Sequence, residues 1–197
     1  MMKEEDYEKA IKLSQRYWST MKKVGVKPPN IVGHIGELLV MRELKKVNMN
    51  FEPAGGQARY DVLLTDKPQG EGRLEVRTST LKDWYGVSSY GWVVLRRRSK
   101  TRTYDFLVCI AIKSLLEALD DQKFYIFKGN EALSSLDVED PWLSSVQKRL
   151  HIFKNMDEFM VVKRKLVNRG KEDNLTDFDR KVNENLENYL NAWDVLR

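Results

Sequence analysis

Tyr7, Ile11, Trp18 and Met21, with Ser14 between them, recur at helical spacing and predict an amphipathic helix over residues 3–22 with one packing face. Glu4, Glu5 and Asp6 in its first turn and Lys22 and Lys23 in its last suit the helix dipole. GVKPPN then breaks the chain, because Pro28 and Pro29 cannot sit in a helix interior. A second helix is predicted from Ile31 to Lys46, and its middle, HIGELLVM, is apolar nearly all round, as a buried helix is. Gly55 and Gly56 mark a turn. YDVLL (60–64) and RLEVRTS (73–79) read as strands joined by DKPQGEG, which has the composition of a hairpin loop. GWVVLRR (91–97), YDFLVCIAI (104–112) and KFYIF (123–127) are further strands. The middle one is continuously apolar, as a strand covered on both faces would be. KSLLEAL makes a helical turn or two, and residues 131–165 mix short helices with a strand. NRGKEDN (168–174) is a linker, after which Thr176 reads as the N-cap of a last helix reaching about Leu196.

This order of elements defines an α/β or α+β fold: a mixed sheet flanked by helices, with extra helices at both ends. The expected organisation is an N-terminal helix and linker (1–29), a core (30–167), and a linker with an amphipathic C-terminal helix (168–197). Strict βα alternation, a G-x-G-x-x-G fingerprint and a P-loop lysine are all missing, which argues against a doubly wound nucleotide-binding fold. The chain has 197 residues, 42% hydrophobic and 32% charged, enough for one well-buried core. No apolar run reaches the roughly 18 residues that would cross a bilayer. The acidic start, MMKEEDYEKA, has no apolar secretory region, so a cytoplasmic protein without membrane contact is expected. A single cysteine, Cys109, excludes an internal disulfide and a thiolate zinc cage, and its apolar run marks it as a buried thiol. His34 and His151 lack ligand spacing and read as structural or surface residues. A net charge of +5 favours a polyanionic partner.

Three acids stand apart because of their surroundings. Glu37 lies inside the apolar stretch of the second helix, where a carboxylate is costly without a cation or donors to compensate it. Gly33 and Gly36 leave room beside it. Asp61 and Glu75 lie on the two strands of the hairpin. If its loop centres near Pro68, facing residues have numbers that sum to about 136, so Asp61 faces Glu75 with Cβ atoms roughly 5 Å apart. Like charges so placed repel, and a divalent cation between them removes the penalty. Strand alternation puts Glu75 and Arg77 on one face and Leu74, Val76 and Thr78 on the other.

Glu37, then Asp61, then Glu75-Val76-Arg77, set in GHIGELLVMRELKK, FEPAGGQARYDVLL and RLEVRTS, resembles the PD-(D/E)XK, or restriction-endonuclease-like, nuclease family. The likeness is nearest to Holliday-junction-resolvase-like and intron-homing-type members and covers roughly residues 30–128. It implies a restriction-endonuclease-like core and Mg²⁺-dependent hydrolysis of DNA phosphodiesters, with Mn²⁺ as the alternative ion. Asp61 and Glu75 would hold the metal, with the Val76 carbonyl a further ligand, and Glu37 would bind it or orient its water. The metal would acidify that water and offset charge on the scissile phosphate. The departure is Arg77, where the family usually has lysine. Arginine suits a phosphate but cannot serve as a general base. Lys82 is a candidate replacement from another position. The alternative is a non-catalytic DNA-binding relative in which Arg77 neutralises the acids. A protein-interaction scaffold is a third class, distinguished by the absence of salt-sensitive DNA binding.

The expected DNA-facing residues are Arg96, Arg97, Arg98, Lys100 and Arg102 in RRRSKTR, with Lys82 and Gln57. A solvated turn is the alternative for that basic run. Trp84, Tyr85, Tyr90 and Trp92 either pack in the core or line a groove where bases stack. Val182, Leu186, Tyr189, Trp193 and Leu196 follow a 4-3-4-3 spacing. That seam either docks on its own domain or pairs two chains into a homodimer suited to duplex or branched DNA.

Overall fold

The computed structural model describes residues 3–26, 30–55, 58, 60–95, 104–129, 148–171 and 175–197. In chain order the elements are α1 (Glu4–Lys23), α2 (Ile31–Lys46), β1 (Phe51–Pro53), β2 (Val62–Leu64), β3 (Arg73–Thr80), β4 (Lys82–Trp84), β5 (Val87–Leu95), β6 (Phe106–Ile112), β7 (Gln122–Lys128), β8 (Lys148–Phe153), α3 (Met156–Val167) and α4 (Asp177–Glu184). Two short 3₁₀ turns follow, Leu186–Asn188 and Trp193–Leu196. The protein is thus a mixed α+β fold. Among the described residues no helix is long and apolar enough to cross a membrane.

Five strands form a mixed sheet in the order β1-β2-β3-β6-β7. β3 and β6 run parallel, with Val76 beside Val108 and Arg77 beside Cys109, and the other pairs are antiparallel. The continuously apolar run is the reason β6 takes this place: side chains of both parities are buried. Val108, Ile110 and Ile112 join Leu74, Val76, Phe124 and Ile126 in a core covered by Ile35 and Leu39 of α2 and by Tyr7 and Ile11 of α1. Leu107, Cys109 and Ala111 join Tyr125 and Phe127 in a second core on the opposite face.

That opposite face carries a second sheet, β4-β5-β8, antiparallel throughout. Trp92 of β5 is 2% exposed in the second core, and its Nε1 donates to the Ile110 carbonyl at 3.0 Å, tying the two sheets together. Tyr90 stacks on Trp92, and Trp84 stacks on His151 with ring centroids 3.8 Å apart. Packing thus engages Trp84, Tyr90 and Trp92, the first of the two readings above, while Tyr85 is half-buried at the turn between β4 and β5. The free edge of β8 is satisfied by α4. Asp179 accepts the His151 N–H at 2.7 Å, and Asn183 accepts the Phe153 N–H at 2.9 Å while donating to the His151 carbonyl at 2.8 Å. Two helix side chains stand where a fourth strand would.

Burial pushes the Asp179 carboxyl up from 3.8 to about 6, although the hydrogen bonds it accepts from Thr176 and His151 pull the other way. The folded state therefore holds this proton more tightly than the unfolded one. The stability it contributes is complete below the unfolded value and is lost as pH rises through the folded one. The gap in melting temperature between wild type and Asp179→Asn is expected to widen on acidification from about pH 7.5 to about pH 5. Thermal unfolding at the two pH values measures it.

The C-terminal helix is shorter than expected. α4 ends at Glu184, with Asn185 as its C-cap. The chain then runs alongside β7: Ile126 N–H donates to the Tyr189 carbonyl at 2.9 Å and Asn191 N–H to the Phe124 carbonyl at 2.7 Å. The 4-3-4-3 seam is therefore not one helical stripe. Val182, Leu186 and Tyr189 pack in the second core, and Trp193 and Leu196 in the first. A homodimer built on that helix loses its surface, because the chain spends those side chains on itself. KSLLEAL forms turns rather than a helix.

Candidate active site

The site begins where β2 starts to pair. The register of β2 on β3, Val62 opposite Leu74 and Leu63 opposite Arg73, is the one the hairpin loop predicts. Asp61 lies one step beyond, level with Glu75, and there the two strands part. Asp61 N–H donates to the Leu74 carbonyl at 2.8 Å. The Asp61 carboxylate then takes the vacated ladder position, its Oδ2 accepting the Val76 N–H at 2.7 Å. A charged side chain thus caps the strand edge that β2 leaves unpaired, a charge-assisted bond stronger than a neutral one.

Leu74 and Val76 face the α2 side, so alternation sends Glu75 and Arg77 to the second face, beside Leu107 and Cys109. Glu75 is 8% exposed, a burial that demands a partner, and the Arg77 guanidinium forms an ion pair with it. Arg77 Nη1 also donates to the Val76 carbonyl at 3.4 Å. Burial raises the Cys109 thiol well above its ordinary value, which Arg77 partly opposes, so this thiol stays protonated and inert.

Glu37 lies on α2, which covers the face of the sheet opposite Glu75, and its charge is coupled to Asp61 and Arg77. It is half-buried rather than buried, and among the described residues its carboxylate has no hydrogen-bond or ion-pair partner. Burial raises its pKa first, the charge of Asp61 raises it further, and Arg77 lowers it. Glu37, Asp61 and Arg77 therefore share one electrostatic neighbourhood around the edge of β3, and Arg77 links Glu75 to it. The glycine beside Glu37 has a different role from the one expected. A Cβ built on Gly36 would lie 1.7 Å from Thr78 Oγ1, so its missing side chain lets α2 sit directly on β3. Gly33 meets nothing within 4 Å and is not needed for space. Thr78 Oγ1 is buried without a hydrogen-bond partner, the cost of that close approach.

The donor set is all oxygen, the chemistry of hard cations such as Mg²⁺. The open carboxylate of Glu37, close enough to Asp61 for their charges to repel, is the feature that fits a cation. Among the described residues, no three His, Cys, Asp or Glu side chains already stand in a metal-holding arrangement. Asp61 is engaged by Val76 and Glu75 by Arg77. Of the four site residues named here, three are acids and one, Arg77, is a base.

Lys82 is exposed on β4, in the second sheet, with Ser89 as its strand partner. Gln57, Arg96, Arg97, Arg98, Lys100 and Arg102 lie outside the described residues. Two features escaped the sequence reading. One is the Gly36–Thr78 contact, which no local pattern signals. The other is a cationic surface at the end of α3, whose signal was the run Lys163-Arg164-Lys165.

No protein-family model and no curated protein matches this chain. Among solved structures, a bacterial homing endonuclease, I-Ssp6803I, is similar over 73% of this chain and 97% of that one, with 14% sequence identity and a TM-score of 0.42. At those values the likeness is one of partial backbone course, and what the residues do is read from the site itself.

Proposed function

We propose that this chain is a Mg²⁺-dependent DNA endonuclease acting through Glu37, Asp61 and Glu75. The observation that carries this reading is the Glu37 carboxylate, half-buried and without a partner among the described residues, its pKa raised by burial first and then by the Asp61 charge. Such a carboxylate is costly unless a cation occupies the space it faces. The resemblance of Glu37, Asp61 and Glu75-Val76-Arg77 to the PD-(D/E)XK pattern supports the same reading. Asp61, Glu75 and the Val76 carbonyl would hold the ion, with Glu37 as a further ligand or a water-orienting group. When bound, a divalent ion supplies an acidified water and offsets charge on the phosphate. Arg77 has a role of its own. Its planar fork suits a phosphate as well as a carboxylate, so an arriving DNA backbone can draw it off Glu75 and release that carboxylate. Arg77 then holds the phosphate and takes no proton, because a guanidinium stays charged. Of the named groups only the carboxylates can take a proton, and Glu37 is the one without a partner among the described residues.

Incubating the protein with supercoiled plasmid and with branched DNA is expected to give nicked or cut product with Mg²⁺ or Mn²⁺ and none with EDTA. The second reading, a DNA-binding relative without catalysis, is favoured by the Arg77–Glu75 ion pair. It expects no cleavage with either ion, and salt-sensitive DNA affinity that survives Asp61→Ala.

A further inference from the structure

Residues 160–171 carry five cations, Lys163, Arg164, Lys165, Arg169 and Lys171, and no acid. Helix-dipole compensation explains only part of this. Arg164 and Lys165 occupy the last turn of α3, but Arg169 and Lys171 lie beyond its C-cap, Asn168, where the dipole effect has faded. All but the half-buried Lys163 are exposed, and among the described residues none of the five is paired with a carboxylate. The nearest acids on these elements are Asp157 and Glu158 at the other end of α3, and Asp83, whose Oδ1 accepts the Gly86 N–H at 3.1 Å. Glu172 and Asp173 follow in the sequence, outside the described residues.

The surface is built onto the hairpin that continues from the acid-bearing strand. Trp84 pairs with Val87, so β4 and β5 are joined by two residues, Tyr85 and Gly86, at φ of 56° and 77°. This is the tight turn that needs both central residues left-handed, an uncommon state for a tyrosine. The end of α3 holds it there: Lys165 Nζ donates to the Tyr85 carbonyl at 2.8 Å, and the Arg169 guanidinium lies 5.0 Å from the centre of the Tyr85 ring. Two of the five cations are therefore fixed on the turn, and Lys163, Arg164 and Lys171 lie on the same short segment, Arg164 Nε donating to the Met160 carbonyl at 3.3 Å. From Arg77 to Trp84 the chain spans at most roughly 25 Å. One turn of duplex covers about 34 Å, so the two places can meet the same helix.

We propose that the basic end of α3, together with the β4–β5 turn it holds, is a second contact surface for the phosphate backbone of duplex DNA, separate from the acid cluster. This rests on the DNA reading above and deepens it: the substrate is a duplex long enough to reach both places. Contacts of this kind position a duplex without reading its sequence.

The test is binding of a fluorescent duplex of about three helical turns in EDTA, over a salt series, by wild type and by the triple variant Lys163→Gln/Arg164→Gln/Lys171→Gln. These three were chosen because Lys165 and Arg169 hold the turn. Circular dichroism checks that the variant folds. The variant is expected to bind at least about tenfold more weakly at moderate salt, with a log–log salt slope shallower by about 2.7, from roughly 0.9 per phosphate contact. Salt-sensitive binding by wild type that the variant reproduces in both affinity and slope overturns this surface and leaves the nuclease reading standing. Wild type without salt-sensitive duplex binding overturns both. Equal loss on a random-sequence and a branched duplex supports backbone contact, and loss confined to one base sequence overturns it.

Discussion

Gly36→Ala is expected to destabilise the fold by about 3 kcal/mol, the upper end for overpacking a well-filled interior. The new Cβ would meet Thr78 Oγ1 at 1.7 Å, Thr78 Cβ at 3.1 Å and Ile110 Cδ1 at 3.2 Å. Rotating Thr78 gives only partial relief, because one of its other rotamers brings the methyl group into the space the hydroxyl leaves and in every rotamer its Cβ stays 3.1 Å away. The helix itself must lift from the sheet, against the core that Ile35 and Leu39 form with Leu74 and Ile110. Thr78→Ala removes the obstacle together with a buried hydroxyl that has no partner, so the single change is expected to cost little. The double variant is then expected to recover a large part of the Gly36→Ala loss. Denaturant unfolding of the four proteins gives the coupling, and a value below about 0.5 kcal/mol would remove the contact as the cause. Lifting α2 also exposes Glu37. Its pKa, followed by carboxyl NMR, is expected to fall, because burial is the largest cause of its elevation.

Asp61→Asn is expected to leave the fold in place and to lower DNA cleavage on the order of 10²- to 10³-fold, the several kcal/mol that a metal-held charge arrangement supplies to a transition state. The asparagine oxygen can still accept the Val76 N–H, so the edge of β3 stays capped. What disappears is charge, and Glu37 reports it. Asp61 raises the Glu37 pKa and Arg77 lowers it, so Asp61→Asn is expected to move the Glu37 titration down and Arg77→Met to move it up. The opposite signs make this readout independent of cleavage. A Glu37 titration that moves in neither variant would detach Glu37 from the cluster, whatever the activity.

The local pattern made much of this site legible. Pro68 at the loop centre gave the register of β2 on β3, and the period of two on β3 separated Leu74 and Val76 from Glu75 and Arg77. Glu37 stood out as a carboxylate within an apolar helix. The end of the chain was misread because apolar spacing does not say which surface receives each side chain. Val182, Leu186, Tyr189, Trp193 and Leu196 have heptad spacing yet enter two cores on opposite faces of one sheet. A contrary signal was present in Asn183, Asn185, Asn188 and Asn191, a residue type that competes with helical hydrogen bonds through its own side chain. β1 escaped because three residues ending in proline, Phe51–Pro53, carry no readable period.

By itself the amino-acid sequence determined the α+β class, the central place of the 104–112 run and the acids worth watching, because burial period and charge cost are local properties of a chain. Only the tertiary structure decided that β4, β5 and β8 form a separate sheet over the second face, that Asp179 and Asn183 of α4 finish its edge, and that Gly36 is small for the sake of Thr78. It also decided that Arg77 stands on Glu75 while Glu37 has no ion-pair partner among the described residues. Each of these joins residues far apart in the chain, and such pairings are set by which surfaces can be buried together, a condition no single segment contains.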